Sequence, residues 1–258
     1  MIFDYMFNEI EFKKYQERGA CHVKETRRSI FYFNAVQQAR YDLILKYLGN
    51  IERKTVLDLG CGDGALTHFI CQKKAKVIGI DNNELGLKFA EEFLSSQGLK
   101  AELILANAYQ TTLPNNSVDF VVASEIIEHV KEPGRLLKET QRVLKPGGAI
   151  IITTPYRLTE QPMDIFHCKE FYPKELEELV GAYFKEIEVI EFQPAFWFCL
   201  YNHELKLPLC RHIHKCRNIL RYLINFSALY FNKNPFLTDS SHRRKREFYA
   251  QIFVKAKK

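Results

Sequence analysis

Three glycines, Gly60, Gly62 and Gly64, alternate with Cys61 and Asp63 inside VLDLGCGDGALT, residues 56–67. A turn so poor in side chains lets ligand atoms approach bare backbone, and a helix starting behind it offers unpaired N–H groups. Phosphate is the common occupant of such a turn. Here Asp58 stands just before the glycines, where it would repel a pyrophosphate and attract an ammonium or sulfonium group. The final glycine of the dinucleotide-binding pattern is also missing, since Ala65 follows Gly64. Asp81 lies 21 residues after Gly60, a spacing suited to accepting hydrogen bonds from both hydroxyls of a ribose. A ligand with a ribose, a positive charge and no phosphate satisfies all three features, and S-adenosylmethionine is such a compound.

A second group lies in SEIIEHV, residues 124–130. Glu125, Glu128 and His129 stand at i, i+3 and i+4, so on a helical turn they would share a face. Methyl transfer from a sulfonium leaves a neutral thioether and needs alignment and a dry site more than acid–base machinery. A hydroxyl acceptor must still lose a proton, and His129 titrates in the right range to receive it. His167, in FHCKEFYPKEL, is a second candidate for contact with substrate. Glu125, Glu128, His129 and His167 could also hold a divalent cation, although the expectation is a site without metal. LCRHIHKC (209–216) offers Cys210, His212, His214 and Cys216, but C-x-H-x-H-x-C is not a usual zinc spacing. Polar residues at a helix start are expected there instead.

These residues need a scaffold, and an alternation of elements supplies it. Strands are expected at TVLDL (55–59), KVIGI (76–80), AELILA (101–106), SVDFVVAS (117–124), AIIITT (149–154), EIEVIEF (186–192) and FYAQIFVKA (248–256). Helices are expected from Asn34 as cap to Gly49 as stop, then over 64–73, 83–97, 133–144 and 173–184, with KPGG as the turn after the fourth. Nearly continuous apolar strands alternating with helices imply a parallel sheet covered on both faces. The chain reads as one domain, 1–258, with an N-terminal cap, 1–33, and an insertion, 193–247, too long for an ordinary connection.

Charge singles out that insertion. Residues 195–258 hold 13 Lys/Arg against 3 Asp/Glu in a chain of net charge +6. A helix over 212–232 would carry an apolar stripe at 213, 216, 220, 223 and 224, with Lys215, Arg217 and Arg221 opposite it. SHRRKRE (241–247) adds four consecutive bases, and PAFWFCLY (194–201) concentrates Phe196, Trp197, Phe198 and Tyr201. Basic amphipathic helices lie on anionic membrane surfaces, so peripheral membrane contact through 195–247 is a candidate property. The aromatics fit core packing or an apolar lid over the acceptor. The mixture also permits nucleic acid, but no RNA-binding module is recognisable. The longest uncharged apolar stretches, such as YLINFSALYF (222–231), are about half the ~20 residues of a membrane span. MIFDYMFNEIEF lacks the bases of a signal or transit peptide. Together with seven scattered cysteines, that points to reduced thiols and a cytoplasmic location.

Four motifs in fixed order carry a family resemblance: VLDLGCGDG (56–64), VIGIDNN (77–83), ANAYQTTLPNNSVDFVVASEIIEHV (106–130) and RVLKPGGAIIITTP (142–155). Over about residues 40–192 the chain resembles class I S-adenosylmethionine-dependent methyltransferases of the type 11/12 group, which includes ubiquinone-biosynthesis and sugar-modifying enzymes. The resemblance implies a Rossmann-like α/β fold, a doubly wound, mostly parallel seven-stranded sheet with an antiparallel last strand. It implies S-adenosyl-L-methionine as cofactor and S-adenosyl-L-homocysteine as product. Asp58, Gly60, Cys61, Gly62 and Gly64 would meet the methionine end, Asp81 and Asn82 the ribose and neighbouring adenosine, and Asn107 and Ala108 the adenine. Ser124 and Glu125 would close the pocket, with Glu128, His129 and His167 as catalytic candidates. The implied reaction is O-methylation of a small-molecule, glycan or lipid-linked acceptor. Small-RNA 2′-O-methyltransferases, which use a Glu-x-x-Glu-His turn with later histidines and a metal, are the alternative; this chain has one histidine in FHCKEF where they have a close pair. A cofactor-binding scaffold without catalysis is the other.

Overall fold

The computed structural model describes residues 15–160, 162, 164, 166–202, 219–240 and 248–258. Among them, seven strands form one sheet: β1 Thr55–Leu59, β2 Lys76–Asp81, β3 Glu102–Leu105, β4 Val118–Ser124, β5 Leu144–Pro155, β6 Lys185–Pro194 and β7 Tyr249–Lys257. Their spatial order is β3-β2-β1-β4-β5-β7-β6. The first five pair in parallel, and β7 runs antiparallel to both β5 and β6. This is the doubly wound sheet with an antiparallel last strand that the motifs imply. The helices that bear on the site are α1 Cys21–Glu25, α2 Ala35–Leu48, α3 Ala65–Cys71, α4 Glu84–Ser96, α5 Pro133–Val143, α6 Pro173–Gly181, α7 Ala195–Asn202 and α8 Ile219–Phe231.

Strand parity divides the core. Successive side chains face opposite sides of a sheet, so Leu57 and Leu59 pack with Leu136 and Leu137 of α5 and Leu176 and Val180 of α6. Val56, of the other parity, packs with Ile44 and Leu48 of α2, Ile70 of α3 and Leu94 of α4. Both faces are covered, which is why the strands read as unbroken apolar runs. Asn34 caps α2 as expected: its Oδ1 accepts from the N–H groups of Val36 and Gln37 at 3.1 Å each. The KPGG stretch is not a separate turn after α5. β5 begins at Leu144 opposite Val118, and the register shifts between Val118 and Phe120. Gly147, at φ +74°, supplies the left-handed residue that such an irregularity uses.

The insertion between β6 and β7 docks on the start of α2. Tyr201 Oη accepts from the Ala35 N–H at 3.1 Å and donates to Asn225 Oδ1 at 2.8 Å. The Asn225 amide donates in turn to the carbonyls of Phe33 at 2.6 Å and Ile30 at 3.0 Å. This buried polar network fixes which face of α8 turns inward. Ile224 and Asn225 are buried, with Leu220, Ala228 and Leu229 beside them, while Leu223 is 59% exposed. The expected apolar stripe is therefore corrected at 223, and only its 219–231 part lies within the described residues. Arg221 does not stand opposite the buried face either; its guanidinium lies 4.8 Å over the Tyr201 ring. Lys215, Arg217, LCRHIHKC and SHRRKR with Glu247 fall outside the described residues. Phe196 and Trp197 are 67% and 37% exposed, whereas Tyr201 is core. No described helix is long and apolar enough to cross a membrane.

Candidate functional site

Strand order reverses between β1 and β4, and a doubly wound sheet opens a crevice at the carboxyl ends of its strands at such a point. The glycine turn leaves β1 there. Gly60 N and Cys61 N donate to the Ile80 carbonyl at 2.7 and 3.0 Å. Gly62 N donates to Asp81 Oδ2 at 2.8 Å, and Asn83 N to Asp81 Oδ1 at 2.8 Å. Asp81 thus orders the turn through both of its carboxylate oxygens. Gly64 has φ +79°, and a Cβ there would come within 2.8 Å of the Ala90 Cβ, so α3 starts hard against α4.

Asp58 lies on the Val56 face, 2% exposed, and accepts a 2.6 Å hydrogen bond from the Thr67 hydroxyl. Burial pushes its carboxyl up to about 7, opposed by the Thr67 bond and helped by the charge of Asp81. Burial likewise raises the Cys61 thiol well above its ordinary value. Asn82 and Asn107 are exposed at the strand ends, and Ala108 is half-buried. The Asn107 Oδ1 accepts from Tyr109 N at 2.9 Å, closing its own turn. Ser124 and Thr153 share a hydroxyl–hydroxyl contact of 3.0 Å.

Asp63, to which the sequence reading gave no role, ties the N-terminal segment to the glycine turn. It is 1% exposed, and its Oδ2 accepts from the backbone N–H groups of His22 at 2.8 Å and Val23 at 3.2 Å. That bond lays the segment from Tyr15 to Val23 over the glycine turn. A Cβ on Gly62, at φ +52°, would collide with the Tyr15 hydroxyl. The described part of the N-terminal cap therefore lies over the glycine turn. Three carboxylates, Asp58, Asp63 and Asp81, stand around this turn. That donor-poor, anionic setting fits a cationic adenosyl ligand and not a diphosphate.

At the other side of the crevice, residues 125–130 form a turn after β4 and not a helix. Glu125 takes φ +55° and points to Arg40, whose Nη1 lies 2.8 Å from Glu125 Oε2. Burial works against the charge on Arg40, but Glu125 holds it above its ordinary value. Glu125 consequently does not share a face with Glu128 and His129, a correction to the i, i+3, i+4 expectation. Arg40 stands four residues from Val36 and four from Ile44, on the apolar stripe of α2; a charge at that spacing was the signal for it.

Glu128, His129 and His167 do converge. One ligand-type atom from each lies within 4.8 Å of the others, and the two imidazoles meet edge to face with centroids 4.9 Å apart. Glu128 is fully buried, and Oε2 accepts from the Thr154 hydroxyl at 2.9 Å. Burial, reinforced by the charge of Glu125, drives its carboxyl well above the usual carboxylate range. His129 Nδ1 faces the Phe166 carbonyl at 3.1 Å, and His167 Nδ1 faces Glu170 Oε1 at 2.8 Å.

Residues 57–152 match a family model described as a methyltransferase domain. The chain is 31% identical over 140 residues to a probable S-adenosylmethionine-dependent methyltransferase of Mycolicibacterium smegmatis, covering 52% of this chain and 53% of that one. It is 36% identical over 107 residues to a ubiquinone biosynthesis O-methyltransferase of Pseudomonas fluorescens, covering 41% and 46%. The chain thus spans about half the length of these curated relatives. Among solved structures it is similar to a SAM-dependent methyltransferase from Aquifex aeolicus, with TM-score 0.50, 27% identity and coverage of 58% and 80%. It also shares the fold of Haemonchus contortus phosphoethanolamine N-methyltransferase 2 solved with S-adenosyl-L-methionine, with TM-score 0.65, 20% identity and coverage of 95% and 58%. Residues 57–152 are a methyltransferase domain, homologous to those of the S-adenosylmethionine-dependent methyltransferases.

Proposed function

We propose that this protein transfers a methyl group from S-adenosyl-L-methionine to an oxygen of a small-molecule, glycan or lipid-linked acceptor. The observation that carries this reading is the pairing, across one crevice, of the anionic glycine turn with the Glu128–His129–His167 cluster. When bound, the cofactor supplies an electrophilic methyl on a cationic sulfur, which leaves as a neutral thioether. Asp58 and the backbone of Gly60, Cys61, Gly62 and Gly64 hold the methionine end. Asp81 and Asn82 hold the ribose side, with Asn107 and Ala108 beside the adenine. Ser124 and Glu125 close the floor of the crevice, and Arg40 pairs with Glu125 there. Tyr15 and Asp63 exclude water by holding the cap down over the turn.

His129 receives the acceptor proton at Nε2, since its Nδ1 is engaged by the Phe166 carbonyl. His167, oriented by Glu170, and Glu128 position the acceptor against it. Exposed apolar side chains on α7 and α8, among them Phe196, Trp197, Leu223 and Phe226, support contact with a membrane surface or an apolar acceptor. Labelled S-adenosyl-L-methionine incubated with host extract, then fractionated into lipid, glycan, RNA and small molecules, tests the reading. Label in the lipid, glycan or small-molecule fraction, lost on Asp81→Ala, is the expected result; label confined to RNA, or to none, refutes it.

A further inference from the structure

Helix α8 is apolar on two opposite sides. At 3.6 residues per turn, Leu220, Ile224 and Ala228 fall on the side that packs with Phe33, Tyr201 and Phe236. Ile219, Leu223, Phe226 and Tyr230 fall in one line on the other side, and each is between 42% and 64% exposed. A helix apolar all round belongs in an interior, yet half of this one faces outward. Its neighbours widen the face. Phe31, exposed, meets the Tyr222 ring edge-on with centroids 5.5 Å apart. Arg28 Nη2 donates to the Leu229 carbonyl at 3.3 Å, and the Arg27 guanidinium lies 5.9 Å from the centre of the Tyr32 ring. On the other flank, Trp197, Leu220, Leu223 and Ile224 line a groove of about 420 Å³, to which Lys233 also contributes. The segments that build this face, 26–33, 195–202 and 219–238, contain no Asp or Glu.

We propose that this face docks on the surface of an anionic bilayer, with the Ile219–Leu223–Phe226–Tyr230 line among the acyl chains and Arg27, Arg28 and Lys233 against the headgroup phosphates. At 13 residues α8 is about 20 Å long, so it lies in the membrane plane and does not cross it. Charge selects this occupant. A second copy of the chain, pressed face to face, would bring the bases of both copies together with no carboxylate between them. An anionic leaflet accepts the apolar line and the bases at once. The face also lies at the working edge of the sheet. β5 and β6 each run antiparallel to β7, so β6 ends on the side where β1 meets the glycine turn, and α7 follows it directly. Gln193, at that end, donates to the Val36 carbonyl of α2 at 2.8 Å, and Arg40, one turn further, holds Glu125. The docked bilayer thus delivers an amphipathic acceptor to the crevice; that purpose rests on the methyl-transfer reading, whereas docking does not.

The test sediments the full chain with sucrose-loaded vesicles, made either of phosphatidylcholine alone or of an equal mixture with phosphatidylglycerol. The chain should travel with the mixed vesicles and not with the neutral ones, and added salt should weaken the partition. Leu223→Glu and Phe226→Glu should each weaken it by roughly 10-fold or more. Arg27→Gln and Arg28→Gln should each weaken it by about 5-fold. Lys174→Gln, an exposed base on α6 away from this face, should leave it unchanged. All five substitutions are at exposed positions, and unaltered S-adenosyl-L-homocysteine affinity in each confirms that the variants fold. Failure to travel with either vesicle would overturn the proposal. So would full partition of the Leu223 and Phe226 variants, or a loss in Lys174→Gln equal to that in the arginine variants. A dimer seen by light scattering without lipid, or RNA binding, abolished by Leu223→Glu in a chain that ignores vesicles, would assign the face to that other partner and overturn it too. Vesicle docking by an unaltered chain that binds no S-adenosyl-L-homocysteine would instead strike the methyl-transfer reading and leave the docking face in place.

Discussion

The guanidinium of Arg40 on α2 lies 2.8 Å from the carboxylate of Glu125 at the end of β4, with side-chain exposures of 14% and 24%. This pair joins a helix on one face of the sheet to the turn that carries Glu128 and His129. Exposed ion pairs contribute up to ~1 kcal/mol and fully buried ones cost about 3–5 kcal/mol to break. Arg40→Met should therefore destabilise the protein by about 2 kcal/mol, seen as a lower urea midpoint at unchanged slope. The double variant Arg40→Met/Glu125→Gln should recover part of the loss. A double variant no more stable than Arg40→Met would show that the two side chains do not act as a pair.

Asp81→Ala removes the acceptors that order Gly62 and Asn83 as well as those proposed for the ribose. Hydrogen bonds to charged groups contribute about 1.5–3 kcal/mol each. S-adenosyl-L-homocysteine should bind roughly 10- to 100-fold more weakly by calorimetry. Wild-type affinity in this variant would remove Asp81 from the site.

The Asp58 carboxyl, pushed up by burial to about 7, gives a pH dependence of definite sign. Its folded pKa exceeds the unfolded value of about 3.9, so the stability it contributes is complete below pH ~4 and is lost as pH rises through 7. The apo protein should show a downward slope of stability over that window, and Asp58→Asn should flatten it. A cationic ligand favours the ionised form, so cofactor binding near pH 6.5 should release protons and strengthen toward pH 8. Calorimetry in two buffers of different ionisation enthalpy measures the proton count; uptake in place of release would contradict the assignment.

Gly62→Ala and Gly49→Ala both place a side chain at positive φ, but only the first meets Tyr15; the second meets nothing within 4 Å. Each should cost roughly 1–2 kcal/mol for the backbone. Only Gly62→Ala should also lift the cap, read as faster proteolysis near residues 15–25 and faster ligand release. Equal protease sensitivity in the two variants would mean that Tyr15 does not hold the cap.

Trp197 is the single tryptophan and is 37% exposed on α7. Its emission should shift to the blue on vesicles containing anionic lipid and not on neutral ones. An unchanged spectrum on both would remove α7 from a membrane interface.

The parts legible in the sequence are those that local physics decides. Unbroken apolar strands, the Asn34 cap, the glycine turn and Asp81 at the end of β2 depend on periodicity, backbone freedom and short-range hydrogen bonding, and the fold follows from their order. The same reasoning misjudged Glu125, because a helical face presumes helical backbone. A left-handed residue and the charge of a side chain 85 positions earlier turned it away. It also misread α8, whose inward face is set by Asn225 bonding to Phe33 and Ile30.

What the amino-acid order determined on its own was the sheet, its crevice and the residues around the glycine turn. Tertiary structure alone decided that Arg40 meets Glu125, that Asp63 meets the cap, and that Glu125 leaves the group the sequence had made of it with Glu128, His129 and His167. The reason is that partner choice among buried polar groups depends on which atoms packing leaves unsatisfied, and that is a property of three dimensions.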